Sequence, residues 1–197
     1  MDNAADREQD SALDLGLGLN HVLTGGRQND RYLLYTLRVS ISYAKSIDII
    51  VSFLMESGVK MLINDLQSAV DREVPIRILT GNYLGITQPS ALYLLRSAFG
   101  DRIDLRFYTD AKRSFHAKAY LFHRDNYNEI YVGSSNLSKS ALTNGIEWNY
   151  RFSDRDDPRS YRRFEQTFTD LFYGDDAEII DDTVLQRYSG DWHRPAV

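Results

Sequence analysis

The hydrophobic pattern between residues 46 and 109 switches back and forth between two periods, and no other feature restricts the fold of this chain as strongly. The runs SIDIIVSF, VPIRILT and IDLRFYT are short, apolar and rich in β-branched residues, which predicts buried strands. Between them, 56–72 spaces Val59, Leu62, Ile63, Leu66 and Val70 as a helix does, and 89–99 tolerates Pro89 in its first helical turn. A further amphipathic helix is predicted over 29–45 from Leu33, Leu34, Leu37, Ile41 and Ala44. Strands separated by helices imply crossover connections, so the fold class is α/β.

The second half is richer in strands. FHAKAYLFH and NEIYVGSS are joined by the polar turn RDNYN, a short helical turn falls at 139–142, and GIEWNYRF reads as another strand. A helix over 157–173 carries Tyr161, Phe164, Phe168, Leu171 and Phe172 on one stripe. A length of 197 residues fits one domain, expected over 21–190, with a loose acidic arm at 1–20 and a tail at 191–197.

Composition removes whole classes of chemistry. With no cysteine there is no disulfide, thiolate metal site or cysteine nucleophile, and the histidines are four: His21, His116, His123 and His193. No apolar run approaches the ~20 residues of a membrane span, and the start MDNAADREQD is acidic where a secretory signal is basic, so a cytoplasmic location is expected. A net charge of −5 argues against a protein uniformly coated in positive potential. The stretch 96–124 nevertheless holds seven basic residues against three acidic ones, a solvated face or a local track for phosphates.

Strand periodicity puts His116 and Lys118 on one face of FHAKAYLFH, with Ala117, Ala119 and Leu121 facing a core. A lone strand histidine is most often structural, but GSSN follows, bringing Ser134, Ser135 and Asn136 as donors for an oxyanion at the head of a short helix. Gly, Ser and Asn are also ordinary turn formers.

His116-Ala-Lys118, then Gly133-Ser-Ser-Asn136, then Glu147 in GIEWN resembles the phospholipase D superfamily, the HKD phosphodiesterases, with matching element order from residue 29 to 173. The third motif letter departs: His123 stands where the family has Asp. The resemblance, closest to nuclease-type members of restriction enzymes and superfamily II helicases, implies an α-β-α sandwich with a mixed central sheet and helices on both faces. It implies a metal-independent phosphodiesterase without cofactor, most simply a DNA nuclease. In that scheme His116 is the nucleophile that forms a phosphohistidine, Glu147 holds its other ring nitrogen, and Lys118, Ser134 and Asn136 bind the non-bridging oxygens. Ser135, Lys112 and Arg113 are expected to contact substrate. Such chemistry needs two histidines and the chain has one His-x-Lys, so a homodimer pairing two His116 is expected.

Other readings compete. GSSNLSKS approximates a P-loop but has Ser138 in place of a glycine. The domain could be an idle nucleic-acid-binding or dimerisation module of a restriction or helicase protein, or a lipid phosphodiesterase, although no amphipathic membrane-binding segment is visible. Trp148 is expected in the core, and His123 is expected to face away from His116.

Overall fold

The computed structural model describes residues 22–25 and 32–195; the expected arm over 1–20 lies outside them. Six helices and eight strands follow in order: β1 (Val22–Leu23), α1 (Leu33–Tyr43), β2 (Ser46–Val51), α2 (Glu56–Asp71), β3 (Ile76–Gly81), α3 (Pro89–Phe99) and β4 (Asp104–Tyr108). The second half adds β5 (Lys118–His123), β6 (Glu129–Gly133), α4 (Lys139–Thr143), β7 (Asn149–Ser153), α5 (Pro158–Phe172), β8 (Ala177–Ile179) and α6 (Asp182–Asp191).

All eight strands form one mixed sheet in the order β1-β7-β6-β5-β2-β3-β4-β8. The crossovers read from the sequence make β2, β3 and β4 parallel, whereas β5, β6 and β7 pair antiparallel with their sequence neighbours. The halves meet where β5 pairs antiparallel with β2, Val51 opposite Lys118. That register places the C-terminal end of β2 beside the start of β5.

The two faces are covered unequally. Leu37 and Ile41 of α1, Leu62 and Leu66 of α2, Leu95 and Phe99 of α3, Leu142 of α4 and Leu185 of α6 share one core with Ile47, Ile49 and Val51 of β2. On the opposite face, Tyr161, Phe168 and Phe172 of α5 alone cover Ile50, Leu79, Leu121 and Ile130. The expected stripe on α5 therefore narrows: Phe164 remains 40% exposed. The sandwich has helices on both faces, and α5 does by itself what five helices do on the other side.

Several expected boundaries move. The helix expected over 29–45 is α1, shorter at both described ends, and the chain leaves it at Ala44 in extended conformation. β8 and α6 have no counterpart in the sequence reading, and α6 runs past residue 190 into the expected tail, where the Trp192 indole N–H donates to Gly85 O at 2.8 Å. Trp148, expected in the core, is 73% exposed, because β7 begins only after it.

Two buried polar networks fasten the sheet. Glu129, fully buried on β6, receives Arg124 and Arg151 (2.6 Å for the latter) and the Ser40 hydroxyl of α1 at 2.7 Å. Asp48 of β2 accepts two hydrogen bonds from Arg77, at 2.6 and 2.7 Å, and lies 2.9 Å from His123 Nε2. Buried charge is tolerable only when paired this completely.

Candidate active site

The site gathers where β5 begins and β6 ends. His116 lies before β5, in an irregular segment, because the strand starts at Lys118 and not at Phe115 as the alternation predicts. Its ring is exposed and rests against Tyr83, with centroids 4.5 Å apart and planes at 44°. Neither ring nitrogen has a hydrogen-bond partner among the described residues. Partial burial, and then the Lys118 cation, hold the His116 pKa below its usual value, favouring the neutral imidazole.

Lys118 is buried and its ammonium donates to His116 O at 2.9 Å. Burial lowers its pKa, an effect that Glu147 opposes. On the same face Tyr120, fully buried, donates its hydroxyl to Ser135 O at 3.2 Å, linking the β5 strand to the turn that follows β6.

That turn differs from the cradle of donors expected. The Ser134 N–H is spent on Trp148 O at 2.9 Å, and its hydroxyl donates to the Glu147 carboxylate. Ser135, expected to bind substrate, has its side chain fully buried between Asn149 Nδ2 (2.9 Å) and Ala141 O (3.4 Å), so the hydroxyl faces the core. Nor is the turn at a helix head: Leu137 and Ser138 intervene, and the Ser138 side chain itself caps the five-residue α4 by accepting from Ala141 N. Asn136 is buried in this turn. Its Oδ1 accepts from Phe53 N at 3.2 Å, which orients the carboxamide and leaves its NH2 group without an acceptor among the described residues. The turn is clamped to the β2–α2 connection by Met55 N donating to Leu137 O at 3.0 Å. Gly58 is required there, since a Cβ would come within 2.2 Å of Leu137 O.

Glu147 does not hold His116. Its carboxylate is engaged by the Ser134 hydroxyl, and β6 separates the strand that follows Glu147 from the one that follows His116. His123, the departure from the HKD pattern, points to the α5 face: besides Asp48 its ring meets the Tyr161 hydroxyl at 3.2 Å and Glu165 at 3.5 Å. The carboxylate missing from the motif is thus supplied by Asp48 of the neighbouring strand, in a structural network remote in direction from His116.

The basic stretch 96–124 is mostly self-paired. Arg96 binds Asp101 and Asp182, Arg106 binds Asp104, and Arg124 binds Glu129. Lys112 and Arg113 are exposed, without an ion pair among the described residues, on a turn in which Asp110 Oδ1 accepts from Lys112 N at 2.8 Å. An apolar groove of about 330 Å³ opens beside His116 and Lys118, between the sheet and α5, lined by Leu121, Ile130, Val132 and Phe168. Among the described residues no group of three or more His, Asp or Glu side chains converges as a metal site would, and no helix is long and apolar enough to cross a membrane. Tyr83 is the site residue that sequence reasoning missed; GNYLG carried a turn signal and nothing that linked it to His116.

Known proteins place this geometry. The family model described as cardiolipin synthase, PLD-like domain, matches residues 37–172. Nuc, a phospholipase D family member from Salmonella typhimurium, is similar in fold at 21% identity and TM-score 0.59, over 75% of this chain and 90% of that one. NucT from Helicobacter pylori is similar at 14% identity and TM-score 0.62, over 81% of this chain and 97% of that one. Polyphosphate kinase from Porphyromonas gingivalis has TM-score 0.59 and 16% identity, over 84% of this chain and 24% of its own. No curated protein matches the chain. At these identities the solved structures speak for the fold, and the family model, which runs from within α1 to the end of α5 and includes every motif residue, speaks for descent: the chain belongs to the PLD-like domain family of the phospholipase D superfamily.

Proposed function

We propose that this chain is a metal-independent phosphodiesterase acting on nucleic acid, most simply a DNA nuclease, with His116 as nucleophile. The observation that carries the reading is an unbonded, neutral-leaning imidazole beside a buried ammonium and an oriented Asn136 amide. A phosphodiester is anionic and repels nucleophiles, so its non-bridging oxygens must be neutralised before attack. Lys118 and Asn136 supply that charge and those donors.

A ring nitrogen of His116 attacks phosphorus, the P–O bond to the leaving group breaks, and the departing oxygen takes a proton from a second imidazole. Water, deprotonated by that second imidazole, then attacks phosphorus and breaks the P–N bond, restoring both rings. The second imidazole is assigned to His116 of another copy, since the chain holds one His-x-Lys. The proposed assembly is a two-fold homodimer.

A second reading has its own support: the apolar groove opening at Lys118 suits the acyl part of a phospholipid whose phosphate lies at His116. The purified chain, beside His116→Ala, is assayed in excess EDTA on single-stranded DNA, double-stranded DNA and phospholipid vesicles. DNA cleavage that survives chelation and is lost in His116→Ala supports the nuclease. Lipid hydrolysis with DNA intact moves the assignment to the lipid reading, and silence on every substrate favours the idle module.

A further inference from the structure

The loop 82–88, between β3 and α3, holds an unusual conformation for no evident packing gain of its own. Leu84 has φ 52° and Gly85 φ 71°, and Leu84 is 72% exposed. A left-handed leucine is strained and persists only where surrounding contacts fix it. Here they do. The Tyr188 hydroxyl of α6 lies 2.8 Å from Asn82 Oδ1 and 2.7 Å from Thr87 O, the Trp192 indole N–H donates to Gly85 O, and the Thr87 hydroxyl both donates to Gly81 O and accepts from Leu54 N.

This fastening presents Tyr83 to the His116 ring. The segment carrying His116 is seated independently by Phe115, which stacks on Tyr108 with centroids 4.7 Å apart. Phe115 crosses the end of β3 so closely that a Cβ on Gly81 would come within 2.7 Å of its ring. With its neighbour anchored, His116 still lacks what usually orients a reactive imidazole, a carboxylate on its second nitrogen, because Glu147 is tied to Ser134. The Tyr83 ring is the contact that remains.

We propose that Tyr83 is a positioning residue for the His116 imidazole, and that α6 holds it in place through the 82–88 loop. The proposal rests on the phosphodiesterase reading only for the use made of His116; the placement of the ring is a property of the fold. Tyr83 packs at a tilt against the imidazole, limits its rotation and shields that side of an otherwise exposed ring. The titratable and charged groups around the ring are Tyr83 from the loop and Lys118 from β5, with Glu147 acting on Lys118.

The test is an NMR titration of imidazole-labelled protein, with the His116 signals assigned by their loss in His116→Ala, alongside steady-state kinetics and thermal melts. In Tyr83→Ala the uncovered ring titrates higher, toward the ordinary value of about 6.5. kcat then falls about tenfold, with KM changed less than about twofold, the mark of lost orientation and not of lost substrate binding. Tyr83→Phe keeps the covering ring and restores both readouts. Tyr188→Phe shifts them in the same direction as Tyr83→Ala by a smaller amount. A His116 titration and a kcat unchanged in folded Tyr83→Ala overturn the proposal, as does a failure of Tyr83→Phe to rescue. If the parent chain cleaves no phosphodiester, the functional reading fails on its own and the titration still decides the positioning.

Discussion

The Ser134 hydroxyl donates to the Glu147 carboxylate while accepting from Trp148 N at 3.0 Å. The acidic residue is therefore tied to the turn that carries Asn136, and through Ser134 it connects β6 to the segment before β7. Its field still reaches Lys118, where it opposes the effect of burial. Replacing Ser134 by alanine frees the carboxylate and unseats the start of that turn. Because these groups are largely solvent-accessible, Ser134→Ala should cost no more than about 1 kcal/mol of stability. On the phosphodiesterase reading, kcat/KM should fall about tenfold as Asn136, carried by the same turn, loses alignment with the phosphate oxygens. Melting curves and steady-state cleavage measure the two; unaltered kcat/KM would remove Ser134 and its partner from the mechanism.

The pH profile follows from two depressed groups. Partial burial and Lys118 hold His116 below its ordinary 6.5, and burial holds Lys118 below 10.5 against Glu147. On the phosphodiesterase reading one His116 must be neutral to attack while its counterpart is protonated to give up a proton, and Lys118 must be charged, so activity declines as pH falls until both imidazoles are protonated and declines again as pH rises until both are neutral, at or before the Lys118 value. The acid limb of kcat/KM should lie below about 6.5 and the alkaline limb below about 10.5. Lys118→Met removes the cation and should let the His116 titration rise. A titration that moves down in that variant contradicts the arrangement.

Restoring the missing motif letter should harm the protein. His123→Asp sets a carboxylate against Asp48, which is 1% exposed and already committed to Arg77. The loss should be about 3 kcal/mol, the scale for a buried charge left without compensation. His123→Asn, uncharged and still able to donate, should cost roughly 1 kcal/mol. Burial acts to raise the Asp48 pKa but is outweighed by the hydrogen bonds from His123 and Arg77, so the net shift is downward. Its contribution to stability is therefore present above the ordinary carboxylate range and disappears as pH drops through the lowered value. Denaturant unfolding of both variants decides, and a His123→Asp protein as stable as the parent refutes the account.

On the nuclease reading, Lys112 and Arg113, exposed and without an ion pair among the described residues, lead into the His116 segment as a track for backbone phosphates. Lys112→Ala/Arg113→Ala should weaken DNA binding alike for all sequences and reduce the slope of log affinity against log salt by about 2. Fluorescence anisotropy across a salt series reads this directly. An undiminished slope would move the phosphate track elsewhere.

The parallel half of the sheet was legible because β2 and β3 are buried on both faces and their crossover helices are strongly two-sided, so composition and period agreed. Strand neighbours were not legible. Nothing in SIDIIVSF says that it pairs with the His-x-Lys strand as well as with β3, since that choice is made by the packing of both halves together. The candidate residues were picked by type and order, but the contacts expected of Glu147 and Ser135 differ from those in the structure: the Glu147 carboxylate is engaged by Ser134, and the Ser135 hydroxyl is turned inward to Asn149. The missed C-terminal elements begin in a run that reads as solvated acid, Asp175 to Asp182; Ala177 and Ile180 within it and Leu185 just beyond it carry the burial. A capping signal was present there: Asp181 accepts from Val184 N at 2.8 Å, as an aspartate heading a helix does. Tyr83 gave no signal, since its role exists only after β3 and the His116 segment have crossed.

β8 pairs with the outer side of β4, Tyr108 opposite Ala177, and the ladder continues where Thr109 N donates to Asp176 O at 2.8 Å. A fragment ended at Phe172 would retain every residue from Tyr83 to Glu147 and yet bare the whole backbone rim of β4 between Leu105 and Tyr108. Unpaired strand rims recruit other chains, so such a fragment should self-associate in a way unrelated to any pairing of His116. The last strand, three residues long, thus trades that rim for a much shorter one and leaves the sheet little edge from which to grow.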